Sequence, residues 1–235
     1  MSQKIAVVGA GFIGRSWAMV FSKAGHHVSL YDIDPAALSE AMNLLEINLA
    51  DLESNGLISS KDDLLGRIQP YKTLEDAVEG AEWVQENALE NVQIKRKLFS
   101  LLDELLPETT ILASSTSAIS CSDISNGMRG AGRIIVAHPA NPPYLLPIVE
   151  LSGAPETKDE NIFRAKELLE AAGLSHPDEL NRRHIVRRLS ASQIKLADQI
   201  YPKVENGALL RGEVVEDARL SVYWDRVDQS SFQPV

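Results

Sequence analysis

Cysteine is nearly missing from this chain: Cys121 stands alone among 235 residues. An intramolecular disulfide is therefore excluded, and no metal-ligand spacing appears. Basic residues are also in deficit, 23 Lys and Arg against 33 Asp and Glu, for a formal charge of −10. A nucleic-acid binder would usually carry a basic face, so that class is set aside. An anionic small ligand stays open, because the field of a pocket is local. No apolar run reaches the roughly 18 residues of a membrane span, and MSQKIAVVGAG reads as entering a strand directly, so no secretory leader is expected. A reducing cytoplasm, with no membrane partner, is the expectation. Repeats and low-complexity tracts are missing as well. What remains is ordinary globular composition at a length that can bury a full core with an appendage.

Hydrophobic periodicity orders the chain. Residues 4–9 (KIAVVG) are short, apolar and β-branched; 12–25 carry apolar residues at helical spacing and stop at Gly25; 27–32 (HVSLYD) read as a second strand. Strand, turn, helix and strand in that order make a βαβ unit and imply a parallel sheet. Pro35 opens a helix running to about Asn55, since proline is tolerated in a first turn. The polar stretch 56–72 reads as a loop with a short helical piece. Helices near 73–80 and 91–105, strands near 82–86 and 109–113, a short helix in SDISNGM, strands in RIIVAH and LPIVELS and a helix over 159–173 complete the pattern. The fold class expected is α/β: a Rossmann-like, doubly wound, mostly parallel sheet over 1–180. A short, atypical helical C-terminal segment should occupy 181–235. Within it NRRHIVRRLSASQIKLADQIYPKV reads as one helix, with Ile185, Leu189, Leu196 and Ile200 as a loose apolar face and Pro202 as its end or kink.

Gly9-Ala10-Gly11-Phe12-Ile13-Gly14 fits G-x-G-x-x-G. Alone the pattern is weak. Here it follows a strand, opens a helix, and is followed by Asp32 at the end of the next strand, which is the context of a dinucleotide site. Gly9 permits the tight turn, Gly11 lets the backbone approach a pyrophosphate, and Gly14 lets helix and strand pack closely, while the helix N-terminus offers unpaired N–H groups. Asp32 can accept from ribose hydroxyls and would repel a 2′-phosphate, so NAD is expected rather than NADP.

The oddest stretch is IIVAHPANPPYLLPIVE, residues 134–150, where two apolar segments joined by four prolines carry His138 and Glu150. In open α/β folds ligands sit beyond the carboxyl ends of the strands, and His138 ends one. The prolines fix the backbone and set where Asn141 and the returning strand point. A carboxylate beside an imidazole holds one tautomer and stabilises the imidazolium. Oxidising an alcohol by hydride loss needs such a pair, because the hydroxyl proton must also leave. Spacing alone leaves a structural histidine and a surface glutamate equally open.

VVGAGFIGRSWAMVF, LYDID, AVEGAEWVQENALENVQIKRKLF, ILASSTSAIS and IVAHPANPPYLLPIVEL together resemble the L-3-hydroxyacyl-CoA dehydrogenase family over residues 4–172, and within it the lambda-crystallin and L-gulonate 3-dehydrogenase branch. The resemblance implies that His138 is the catalytic base, Glu150 its paired acid, and Ser117 the residue that hydrogen-bonds the substrate oxygen. It implies cofactor contacts from the glycine turn with Phe12 and Ile13, from Glu90 and Lys95, from Ser117, and from Asn141 near the nicotinamide. Without it, Ser117 reads as a helix N-cap and Lys95 as a solvated helix lysine. The implied substrate is a 3-hydroxy acid or a 3-hydroxyacyl-CoA, and RSWAMVF with HPANPPY favours the small-acid branch. A homodimer is the implied assembly.

One segment departs from the family. Arg183-His184-Ile185-Val186-Arg187-Arg188-Leu189 stands where the family has a run whose asparagine faces the substrate, and Arg187 takes that asparagine's place. Arginine is larger, cationic and has no acceptor oxygen, so the change is not conservative. Three readings of the tail stand beside one another. It is a remnant of the substrate and dimerisation domain, or a variant in which Arg182, Arg183, Arg187 and Arg188 grip an anionic substrate, or a solvated basic face. Two functions follow: an NAD-dependent dehydrogenase of a 3-hydroxy acid or thioester, or a non-catalytic, crystallin-like NAD-binding protein without a complete substrate domain.

Overall fold

A computed structural model of the chain describes residues 2–146, 148–172, 186–190 and 193–196. The chain divides into two compact units, Met1–Glu179 and Leu180–Val235.

The first unit is a seven-stranded sheet. In chain order its elements are β1 (Lys4–Val8), α1 (Phe12–Lys23), β2 (His27–Tyr31), α2 (Pro35–Ser54), α3 (Lys61–Leu65), β3 (Ile68–Tyr71), α4 (Leu74–Val78), β4 (Trp83–Glu86), α5 (Val92–Leu105), β5 (Ile111–Ser114), α6 (Cys121–Ser125), a 3₁₀ turn at Ala131–Arg133, β6 (Ile134–Pro139), β7 (Val149–Gly153) and α7 (Asp159–Ala172). The strand order is β3-β2-β1-β4-β5-β6-β7. The first six strands run parallel, and β7 returns antiparallel along β6. This is the Rossmann-like α/β fold.

Side chains alternate across a strand, and β1 shows what that does. Ile5 and Val7 join one core with Trp17, Phe21, Leu45 and Leu49 from α1 and α2. Ala6 and Val8 join the other, with Phe99 and Leu102 from α5. Both faces are thus covered, as the parallel part of a sheet requires. Trp17 stacks on Phe21 at 5.0 Å between ring centroids, and Phe21 meets Trp83 edge-on at 6.5 Å. Most helices begin on a side-chain cap. Asp34, Ser60, Thr73, Asn91 and Ser120 each accept from a backbone N–H of the first turn. Helix α1 is different: Gly11 precedes it and supplies no side chain.

Two expectations need correction. The stretch read as a loop contains β3, an edge strand paired only with β2. Its sequence IQPY hides it, because Pro70 lacks an N–H and a strand tolerates that only at a sheet edge. In the second unit, residues read as part of one helix form an antiparallel pair instead, β8 (Val186–Ser190) with β9 (Gln193–Leu196). Ile194 and Leu196 alternate with Gln193 and Lys195, the period of a strand, and the register sets Val186 opposite Leu196 and Arg188 opposite Ile194. Arg187 sits within β8 opposite Lys195. Arg182, Arg183, Ile185, Ile200 and Pro202 lie outside the described residues. Among the described residues no helix is long and apolar enough to cross a membrane, and no cluster of three or more His, Cys, Asp or Glu side chains could hold a metal ion.

Candidate active site

The parallel strands end along one edge, and the residues singled out above lie there. Gly9 follows β1, Asp32 follows β2, Glu90 follows β4, Ser117 follows β5, and His138 lies near the end of β6. Strand order sets this convergence, since β1, β4, β5 and β6 are successive neighbours.

At the glycine turn the three glycines have three different reasons. Gly9 has φ +96°, and a Cβ on it would lie 2.7 Å from the Asn87 carbonyl oxygen. A Cβ on Gly14 would lie 1.8 Å from the Gly9 carbonyl oxygen, so strand and helix could not approach as they do. Around Gly11 nothing lies within 4 Å of that position. This open space in front of an uncapped helix start is what a pyrophosphate needs. Asp32 braces the turn: Oδ2 accepts from Ala10 N at 2.7 Å and Oδ1 from Asp34 N at 2.9 Å. Each oxygen keeps a lone pair for a ribose hydroxyl. Phe12, at the start of α1, and Ile33, next to Asp32 in the chain, are exposed apolar side chains of the kind a planar base packs on, whereas Ile13 packs against the core. These residues fit a dinucleotide. Ile33 drew no attention in the sequence, and a lone apolar residue after Asp32 offers no signal there.

Four consecutive hydroxyls, Ser114 to Ser117, leave β5, and each has its own partner. Ser114 donates to Glu86, and Thr116 donates to Glu90 Oε1. Ser115 donates to Asn87 Oδ1 at 2.7 Å and accepts from Trp17 Nε1 at 2.9 Å and Gln85 Nε2 at 2.7 Å. That hub ties α1, β4 and β5 together beneath the glycine turn. Ser117 Oγ lies 3.1 Å from His138 Nε2. Glu90 Oε1 also accepts from the N–H groups of Ser117 and Ala118, each at 3.1 Å. Burial alone would raise the Glu90 pKa, but the bonds from Thr116, Ala118 and Ser117 and the charge of Lys95 outweigh it and hold the carboxyl below its ordinary value.

Lys95 is not a solvated helix lysine. It is fully buried, with Nζ at 2.7 and 3.0 Å from the two oxygens of Glu86, 3.3 Å from Ala88 O and 3.5 Å from Glu90 Oε2. It lies under the site rather than on its open face. Glu86, wholly buried, is a residue the sequence reading missed. The available signal was a carboxylate at the end of the apolar strand WVQE.

The antiparallel return of β7 explains the proline-rich segment. Register places His138 directly opposite Glu150, and the chain between them is tied by Ala140 N to Ile148 O and by Leu145 N and Leu146 N to Pro142 O. His138 Nδ1 then lies 3.0 Å from Glu150 Oε2. An ionised carboxylate only accepts, so Nδ1 carries the ring proton and Nε2 presents a lone pair, to which Ser117 donates. The result is a chain of hydrogen bonds, Ser117 to His138 to Glu150, with a proton acceptor at its centre. The Glu150 side chain is 81% exposed and that of His138 31%, so the pair opens to solvent on the Glu150 side. Asn141 is exposed in the turn after β6, before Pro142.

Residues 4–175 match the family model for the NAD binding domain of 3-hydroxyacyl-CoA dehydrogenase. The chain is 38% identical over 213 residues to a lambda-crystallin homolog of Bos taurus, covering 89% of this chain and 66% of that protein. It is 36% identical over 173 residues to an L-carnitine dehydrogenase of Streptomyces coelicolor, covering 74% and 54%. Its fold matches the crystal structure of 3-hydroxybutyryl-CoA dehydrogenase from Escherichia coli K12 with TM-score 0.70 and 30% identity, over 73% of this chain and 37% of that one. The chain thus spans between about half and two thirds of the length of these curated relatives.

Proposed function

The chain belongs to the 3-hydroxyacyl-CoA dehydrogenase family, with residues 4–175 as its NAD-binding domain, and from that premise we propose that it oxidises the 3-hydroxyl of a small 3-hydroxy acid. The observation that carries this reading is the Ser117–His138–Glu150 chain, 3.1 and 3.0 Å long at its two links, on the same sheet edge as the glycine turn.

In this mechanism the substrate hydroxyl displaces Ser117 from His138 Nε2 and gives its proton to that lone pair. Ser117 re-aims its own proton at the substrate oxygen and holds it. Glu150 keeps Nδ1–H in place and stabilises the imidazolium as it forms. NAD, when bound, supplies the acceptor for the hydride that leaves the carbon. Phe12, Ile13 and Asn141, with the glycine turn and Asp32, are the contacts proposed to hold it. Asp32 disfavours a 2′-phosphate.

Similarity to L-carnitine dehydrogenases supports a free acid over a thioester, L-carnitine itself being a free 3-hydroxy acid. An L-gulonate-type acid is the class proposed. With it go a reducing cytoplasm, suited to the buried free thiol of Cys121, and a homodimer. The test is NADH formation by the purified chain with L-gulonate and with 3-hydroxybutyryl-CoA, and again with His138→Gln. Turnover by the variant at the wild-type rate excludes His138 as the base.

Arg187, in the place of a substrate-facing asparagine, favours a second reading, a crystallin-like NAD-binding protein without catalysis. It predicts NAD binding by calorimetry and no reduction of NAD with any 3-hydroxy acid.

A further inference from the structure

Glu90 enters the family resemblance as a cofactor contact, yet its surroundings describe another task. One oxygen, Oε1, takes three donors: the Thr116 hydroxyl, Ser117 N–H and Ala118 N–H. A carboxylate oxygen has two lone pairs, so Oε1 has no capacity left for a ribose hydroxyl. The other oxygen faces the Lys95 ammonium at 3.5 Å. Lys95 is held in turn by both oxygens of Glu86 and by Ala88 O. Glu86 is fixed from two further sides, by Ser114 Oγ and Ala88 N. The ends of β4 and β5, already paired through their backbones, are thereby tied a second time through the side chains of Glu86, Lys95, Glu90 and Ser114, and this tie ends on the backbone of Ser117.

We propose that Glu90 is a positioning residue for Ser117, anchored by Lys95 and Glu86, that fixes the 115–118 turn so that the Ser117 hydroxyl meets His138 Nε2 and the substrate oxygen. The inference rests on the dehydrogenase reading for its catalytic consequence, and on geometry for the placement itself. Ser117 Oγ hangs from its backbone by one carbon, so any shift of the turn moves the hydroxyl nearly as far. A displacement of about 1 Å at a reacting group costs on the order of 100-fold in rate.

Positioning and cofactor contact predict opposite results for Glu90→Gln. Positioning predicts that kcat at saturating NAD and acid falls by roughly 10- to 100-fold, while the calorimetric Kd for NAD stays within about twofold. A direct contact predicts a weakened Kd with kcat kept at saturation, and that result overturns the proposal. In the cofactor-free full chain, the amide resonances of Ser117 and Ala118 should follow the ionisation of Glu90 and lose that titration in Glu90→Gln. Amides that do not respond overturn it as well. Because this measurement needs no turnover, a wild-type chain inactive on every acid refutes the dehydrogenase reading and leaves the placement of Ser117 to the amides. If Glu90→Gln does not fold, Thr116→Val removes one donor and keeps the charge. It should lower kcat in the same sense with NAD affinity kept, and an unchanged kcat counts against the proposal.

Discussion

A single methyl group tests the glycine turn at two places with opposite expected results. Gly11 has φ −62° and ψ −171°, backbone any residue adopts, and open space where a Cβ would go. Gly11→Ala should therefore melt within about 0.5 kcal/mol of the wild type yet bind NAD at least about tenfold more weakly, because the methyl occupies the space a pyrophosphate needs. Gly14→Ala puts the same methyl 1.8 Å from the Gly9 carbonyl oxygen. No rotamer relieves that contact, and the variant should lose on the order of 3 kcal/mol in chemical denaturation. Equal stability losses in the two variants would contradict this division. At this scale, residues whose chemistry is tied to a strand end were readable from the sequence: Gly9, Gly11, Gly14, Asp32, His138. Ser115, Asn87 and Glu86 were not, because their partners come from strands adjacent in space and distant in sequence.

Elements were readable where their periodicity is their own. The helix α5 and the strands β1, β4 and β6 carry apolar runs and capping residues that need no partner to recognise. Edge strand β3 takes its form from pairing with β2, which a local pattern does not contain, and the alternation over residues 193–196 is too short to stand out from the helical reading of the longer segment around it. The end of α5 shows how far an element can depend on a distant residue. Arg133, fully buried, donates to the carbonyls of Asp103, Leu106, Pro107 and Thr110 and pairs with the Asp103 carboxylate at 2.8 Å. It satisfies the orphan carbonyls of that helix end from 27 to 30 residues away in sequence. Arg133→Met should lower stability by about 3–5 kcal/mol, since Asp103 would remain buried without its partner. Adding Asp103→Leu should recover part of the loss, because the unpaired charge is then gone. A double variant no more stable than the single one would show that the carbonyl contacts, rather than the charge pair, carry the energy.

For the whole first unit, acid and cofactor should move stability in opposite directions. Burial lowers the pKa of His26, with the nearby Glu82 carboxylate only partly offsetting it. Unfolded histidine titrates near about 6.5, so below that pH the unfolded chain takes up a proton that the folded chain refuses. Stability then falls with pH from about 6.5 down to the lowered folded value. Glu90 adds a second loss further down: its contribution is complete above the unfolded value of about 4.3 and is lost as pH falls through its lowered folded pKa. His26→Phe should flatten the first window alone, read as denaturation midpoint against pH. NAD acts in the other sense, since the glycine turn, the uncapped start of α1 and Asp32 exist as one site only in the folded chain. A ligand that binds only the folded state at 100 times its Kd stabilises by about 2.7 kcal/mol, so the melting temperature should rise steadily with NAD concentration. NADP should raise it far less, because its 2′-phosphate meets the Asp32 carboxylate. If Asp32→Asn raises the NADP response while weakening that of NAD, the carboxylate is the element that discriminates. Equal shifts by both cofactors with wild-type protein would remove Asp32 from that role.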